Sequence, residues 1–125
     1  MMSKLNPMLA LCPVLTALIL FPVSAEISLE QFELGKQKAK VCMTCHGADG
    51  ISTQKPYPNL RGQKMGYLIS SLKDYQTRER TSGLAVIMQQ QADMLSDQDI
   101  QDISYFYSQL GSDAQLSHES KTSND

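Results

Sequence analysis

The 125-residue chain contains no tryptophan, and aromatic residues make up only 6% of it. Large aromatic side chains dominate the energetics of small cores, so a core built by this chain alone is thin. It has two histidines and three cysteines. No stretch alternates apolar and polar residues long enough to make a strand, which leaves helix as the expected element. No block of basic residues is dense enough for a nucleic-acid surface. One apolar run exists, Leu9–Val23, and Pro13 and Pro22 interrupt it. It is too short and broken for a comfortable membrane span. It follows Lys4 and ends in small residues, Val23-Ser24-Ala25, the pattern of a secretory signal peptide cleaved between Ala25 and Glu26. The rival reading is an uncleaved membrane anchor.

Cleavage removes Cys12 and leaves Cys42 and Cys45 in residues 26–125, enough chain for one domain. With Lys4 gone, ten basic residues face thirteen acidic ones. Their distribution is uneven. Residues 36–80 carry nine Lys or Arg against Asp49, Asp74 and Glu79, whereas residues 81–125 carry seven acids against Lys121. Two readings follow: an ordinary solvated surface, or a positive rim that steers an acidic partner.

Three stretches have helical period. Ser28–Cys42 begins with the capping-box pattern Ser28-x-x-Gln31 and places Leu29, Phe32 and Ala39 roughly on one side, with Gly35 between. Gly35 is either a close approach by another helix or a tolerated surface glycine. Gln63–Gln76 carries the stripe Met65, Leu68, Ile69, Leu72. The third helix starts at Asp97 after the cap Ser96, with Asp99 three residues on, and ends near Leu110 before Gly111. Its buried face is Ile100, Ile103, Phe106, Tyr107 and Leu110. Two long segments, Gly47–Gly62 and Thr77–Leu95, are expected to be irregular. Loops of that length in so small a domain are usually functional. Residues 112–125 read as a polar disordered tail, and residues 26–111 as the folded domain. Three helices and two long loops make a poor core but a reasonable shell around a flat apolar group.

Residues 42–46, Cys-Met-Thr-Cys-His, identify that group. Two thiols three apart can add to the two vinyl groups of a haem, and the histidine directly after the second can reach the iron from the same side. A structural zinc site takes four ligands. After Cys42, Cys45 and His46 the remaining histidine is His118 in the tail, so a carboxylate would have to complete it. A thioredoxin-like pair sits in a βαβ pattern, and no strand precedes Cys42. Covalent haem c, one per chain, is the expected cofactor, with His46 as one axial ligand. A methionine is a known second ligand. Met43 lies inside the attachment motif, and Met65 belongs to the second helix's apolar stripe. Met88 and Met94 remain. Spacing favours Met88, because Met94 stands where an apolar residue packs at a helix start.

Together "CMTCHGADG", "YPNLRGQ", "YLISSLKDY", "RER" and "LSDQDIQDISYFYSQ" resemble the class I single-haem cytochromes c of bacterial periplasms, and one half of the two-haem periplasmic cytochromes in particular. The resemblance covers residues 28–110. It implies that the ligand methionine stands seven residues before Leu95, at Met88. It implies that the Pro58 carbonyl takes the imidazole N–H of His46, and that Gly35 and the Tyr105–Phe106 pair mark a crossing of the first and last helices. A second C-x-x-C-H is lacking here, and the loop around Met88 lacks the prolines often found there.

The expectation is an all-α cytochrome c fold around one haem: a periplasmic electron carrier, not an enzyme, passing one electron between a donor dehydrogenase or reductase and an acceptor oxidase or second cytochrome. The rivals are a haem subunit fixed in a larger oxidoreductase, and a haem enzyme or gas sensor with a labile sixth ligand.

Overall fold

The computed structural model describes residues 23–112. The expected signal peptide and polar tail therefore lie outside the described residues, apart from Val23–Ala25 and Ser112. The described residues are all-helical, as expected, with no strand, but they form five helices rather than three: α1 Val23–Lys38, α2 Lys40–His46, α3 Met65–Gln76, α4 Ala85–Asp93 and α5 Asp97–Gln109.

Helix α5 is the spine, and its sequence explains why. Ser96 Oγ accepts from the Asp99 N–H (3.1 Å), and the Asp99 carboxylate accepts from the Ser96 N–H (3.0 Å). This reciprocal capping box satisfies two backbone donors that a helix start otherwise leaves unpaired. Ile100, Ile103, Phe106, Tyr107 and Leu110 are each at most 5% exposed. Beyond Leu110, Gly111 takes φ 80° and the helix stops, as its sequence predicts.

Helix α1 crosses α5 at Gly35. A Cβ there would stand 2.1 Å from the Asp102 carbonyl oxygen and 2.8 Å from Phe106 Cβ. The glycine is a close approach, not a tolerated surface residue, and the atoms nearest that Cβ belong to Asp102 and Phe106. One turn away the Phe32 ring packs on Phe106 with centroids 5.1 Å apart. Lys38 Nζ then reaches Asp102 (2.6 Å) and Asp99 (2.8 Å) on α5. Asp102 is 1% exposed, and a carboxylate so buried is tolerated because Lys38 and Gln98 both donate to it. These bonds push the Lys38 ammonium pKa up, Asp102 contributing most.

Three expectations change. Ser28 lies inside α1, which is already helical from Val23, so it is not this helix's N-cap; the helix also runs unbroken through the expected cleavage point between Ala25 and Glu26. The single helix expected over Ser28–Cys42 is two, breaking at Ala39 (φ −79°, ψ 1°). No helix breaker stands there; Ala39 is fully buried in the core with Phe106 and Tyr107, and that packing sets the new direction. The segment Thr77–Leu95 is not irregular throughout, since it contains α4.

The charge asymmetry also finds a structural use. Lys38 pairs with Asp99 and Asp102, Lys73 with Asp97, and Arg78 with Asp93. Basic residues of the first half are thus partly spent holding acidic residues of the second half. Of the two readings of the composition, the positive rim is correspondingly weaker.

Candidate functional site

The site begins at the end of α2. His46 is 5% exposed, and its Nδ1 lies 2.8 Å from the Pro58 carbonyl oxygen. A carbonyl only accepts, so Nδ1 carries the proton and Nε2 keeps a free lone pair. The chain must turn sharply after His46 for Pro58 to come back over it. Gly47 does this with φ 85° and ψ 147°, and a Cβ there would stand 2.0 Å from the Ile51 carbonyl oxygen. Ser52 Oγ donates to the Cys45 carbonyl (2.7 Å), and Ser52 N–H donates to the Asn59 side chain (2.8 Å). The Gly50 carbonyl accepts from the N–H groups of Leu60 and Arg61, closing the loop, and Gly62 N–H bonds to the Tyr107 carbonyl on α5. The segment expected to be irregular is irregular, yet tightly bonded.

His46 lines a cavity of about 510 Å³, within the range of roughly 300–1,000 Å³ usual for cofactor sites. Its walls include Leu60, Leu68, Leu72 and Ile103, and both Cys42 and Cys45 stand on it. The two cysteines are free thiols. Burial pushes the Cys42 thiol pKa up, so this thiol is held neutral rather than poised as a reactive thiolate. Gln91 Oε1, Ser104 Oγ and Tyr107 Oη are buried without a hydrogen-bond partner among the described residues, and all three residues line the cavity. Buried polar atoms are rarely left so. An apolar chamber with two free thiols, one imidazole lone pair and unpaired polar atoms fits a large, mostly apolar prosthetic group bonded through sulfur.

Of the four methionines after residue 25, Met88 alone lines this cavity. It projects from α4, the helix that sequence reasoning missed. Met94 is 69% exposed, at the C-cap of α4. Met43 packs against the hydrophobic core instead. The structure thus brings Cys42, Cys45, His46 and Met88 to one chamber, with Pro58 bonded behind His46.

Residues to which the sequence reading gave no role position the helix that carries Met88. Arg78 adopts φ 65°, a left-handed conformation uncommon outside glycine. Its guanidinium donates to the Tyr75 and Gln76 carbonyls at the end of α3 (3.0 Å each) and grips Asp93 on α4 with two bonds of 2.8 and 2.6 Å. This pairing pushes the Asp93 carboxyl pKa down and the Arg78 pKa up. Gln76 Nε2 donates to the Ala92 and Leu95 carbonyls, and Gln89 Nε2 to the Arg80 carbonyl. Nothing in their sequence spacing announces these ties.

Residues 32–111 match the sequence profile of the Cytochrome c family. The chain is 46% identical over 74 residues to cytochrome c-554(548) of Halomonas halodenitrificans, covering 59% of this chain and 89% of that protein. It is 40% identical over 87 residues to cytochrome c4 of Stutzerimonas stutzeri, covering 64% of this chain but 41% of that one. With cytochrome c4 of Pseudomonas aeruginosa it shares 43% identity over 76 residues, or 36% of that protein's length. The chain therefore spans less than half of the cytochromes c4 it matches. The crystal structure of reduced cytochrome c4 from Pseudomonas stutzeri superposes with a TM-score of 0.57 at 26% identity, over 68% of this chain and 49% of that one. The chain belongs to the cytochrome c family, electron-transfer proteins with covalently attached haem c.

Proposed function

We propose that this chain is an exported single-haem electron carrier in which Cys42 and Cys45 bond the haem and His46 and Met88 are the axial ligands of its iron. The observation that carries this reading is the shared cavity: a buried imidazole with its Nε2 lone pair free, two free thiols and one methionine face the same chamber. The haem, when bound, supplies a one-electron couple between Fe(III) and Fe(II). Everything else falls to the protein. Pro58 holds the Nδ1 proton of His46, which fixes the ligating tautomer and the orientation of the ring. The Met88 sulfur, a soft donor, favours Fe(II) and raises the potential. Leu68, Leu72 and Ile103 exclude water.

Val41, Leu84 and Ile87 line the cavity while remaining 52%, 44% and 37% exposed. They give the chamber an apolar outer edge, where a redox partner can come close enough for electron transfer without bond chemistry. The periplasmic assignment rests on the signal-peptide pattern in residues 1–25, and among the described residues no helix is long and apolar enough to cross a membrane.

The ligand assignment is tested with Met88→Ala and Met94→Ala. The oxidised wild-type protein is expected to show the weak far-red absorption of an iron–sulfur bond. Met88→Ala loses it, lowers the midpoint potential and lets cyanide or carbon monoxide bind. Met94→Ala keeps the band. The opposite pattern assigns the iron to Met94, and a wild-type iron that is already high-spin favours the gas-binding or enzymatic rival.

A further inference from the structure

Three glutamines follow Met88 in a row, and each side chain ends differently. Gln89 Nε2 donates to the Arg80 carbonyl (2.7 Å), Gln90 is exposed to solvent, and Gln91 lines the chamber. Gln91 Oε1 is buried without a hydrogen-bond partner, and none of the described residues bonds its amide nitrogen. A bare amide on an apolar wall is costly. Gln91 stands three residues after Met88 on α4, which puts both side chains on one face of the helix. Both line the chamber, so the amide faces the same region as the proposed sulfur ligand. What holds α4 does not hold that sulfur. Gln76 bonds the Ala92 and Leu95 carbonyls, Arg78 bonds Asp93, and Gln89 bonds Arg80. None of these ties involves the Met88 side chain, a flexible, unbranched thioether. The sulfur can swing aside while the helix stays, and Gln91 stays with it.

We propose that Gln91 makes the iron's sixth position a second binding site, occupied, when the Met88 sulfur gives way, by a small ligand whose outer atom accepts a hydrogen bond. Cyanide, carbon monoxide and nitric oxide belong to this class: one end binds metal and the other carries a lone pair. The Gln91 Nε2–H group donates to the outer atom and slows the ligand's departure. The amide is uncharged, so it selects by hydrogen bonding rather than by charge. Gln91 positions the incoming ligand and does not itself bind the iron.

The inference rests on the haem and Met88 readings, and the experiment separates their failure from its own. Acid–acetone extraction of wild-type holoprotein comes first. Colour that leaves the polypeptide overturns covalent haem, and the proposal with it. A far-red band that survives Met88→Ala overturns the ligand assignment, again with the proposal. With both established, the carbon monoxide complex of reduced Met88→Ala is compared with that of Met88→Ala/Gln91→Leu. A hydrogen bond to the outer oxygen lowers the C–O stretching frequency, so the double variant is expected to show a higher one. Its oxidised form is expected to bind cyanide about tenfold more weakly, the scale of one hydrogen bond to a charged group. An unchanged or lower stretch overturns the proposal whatever happens to the affinity, because affinity also falls when a substituted side chain packs badly. Gln91→Leu alone is expected to keep the far-red band. Loss of that band overturns the proposal too, since Gln91 then serves to hold Met88. Should Met88→Ala/Gln91→Leu fail to fold, Met88→Ala/Gln91→Val removes the same donor with less bulk. A raised stretch then supports the hydrogen bond, and an unchanged one overturns it.

Discussion

His46 and Met88 face one chamber, but the protein mounts them differently. The histidine side is built from neighbours in sequence. Attachment motif, Gly47 turn, closed loop and Pro58 carbonyl all fall between residues 42 and 62, and each of their hydrogen bonds has a backbone group on at least one side. The methionine side is assembled from a distance. Met88 rides on a nine-residue helix with no side-chain cap at its start, tied to the end of α3 by Gln76 and Arg78 and to the following loop at Arg80 by Gln89. One side is a fixed bracket; the other is a helix hung on polar side chains. If His46 and Met88 ligate the iron as proposed, both must be held, and the weaker mounting then decides how well the site resists competing ligands.

The sharpest way to break the comparison is at the bracket. Gly47→Ala puts a Cβ against the Ile51 carbonyl in a backbone conformation that L side chains rarely adopt. The turn must open, and the Pro58 carbonyl leaves His46. The expected loss is about 3 kcal/mol in denaturant unfolding of the holoprotein. A loss under about 1 kcal/mol would show that the bracket re-forms with another turn and is less rigid than argued.

The same contrast explains what the sequence revealed. The attachment motif, the Ser96–Asp99 capping box and the buried stripe of α5 are local patterns, and each appears where its spacing put it. The Pro58 bond came with a family resemblance, and its geometry is present. Helix α4 was missed because its stability is imported. Its buried positions are few and small, Ala85 and Ala92, and its ties come from the end of α3 and the loop after it. The break at Ala39 was missed because it is set by packing against α5, not by a breaker. Composition left a basic rim and an ordinary solvated surface both open, and Lys38, Lys73 and Arg78 turn out to bind acids of the other half.

The second prediction tests the hanging side. Arg78→Ala removes the double bond to Asp93 and the two contacts to the end of α3, while leaving Gln76 and Gln89 in place. The fold is expected to survive, since the pair is solvent-exposed and such pairs contribute little to global stability. What changes is local opening of α4. Cyanide binding to the oxidised protein should be several-fold faster, with the far-red band still present at rest. Arg78→Gly suits the left-handed backbone yet lacks the guanidinium, and it should behave like Arg78→Ala. If Arg78→Gly instead behaves like wild type, the backbone conformation and not the ion pair holds the helix.

The smallest effect, and the one that distinguishes the two mountings most cleanly, is their response to acid. The His46 bracket ends on a carbonyl, which does not titrate. The α4 mounting includes Asp93, whose carboxyl pKa is held below its ordinary 3.8, chiefly by the bond from Arg78. A carboxyl depressed in the folded state gives stability that is fully present above its unfolded value. That contribution fades as pH falls from about 4 toward the lower folded value. Acid should therefore weaken the methionine side through Asp93, in addition to whatever other carboxylates do to the whole molecule. Asp93→Asn isolates the local part. At neutral pH the variant should bind cyanide faster than wild type, because the charge is gone. As the pH drops through 4 the two rates should converge, because wild type loses the same charge by protonation. A gap between wild type and variant that stays constant over that range would mean the Asp93 carboxylate charge does not hold α4, and the ties from Gln76 and Gln89 suffice.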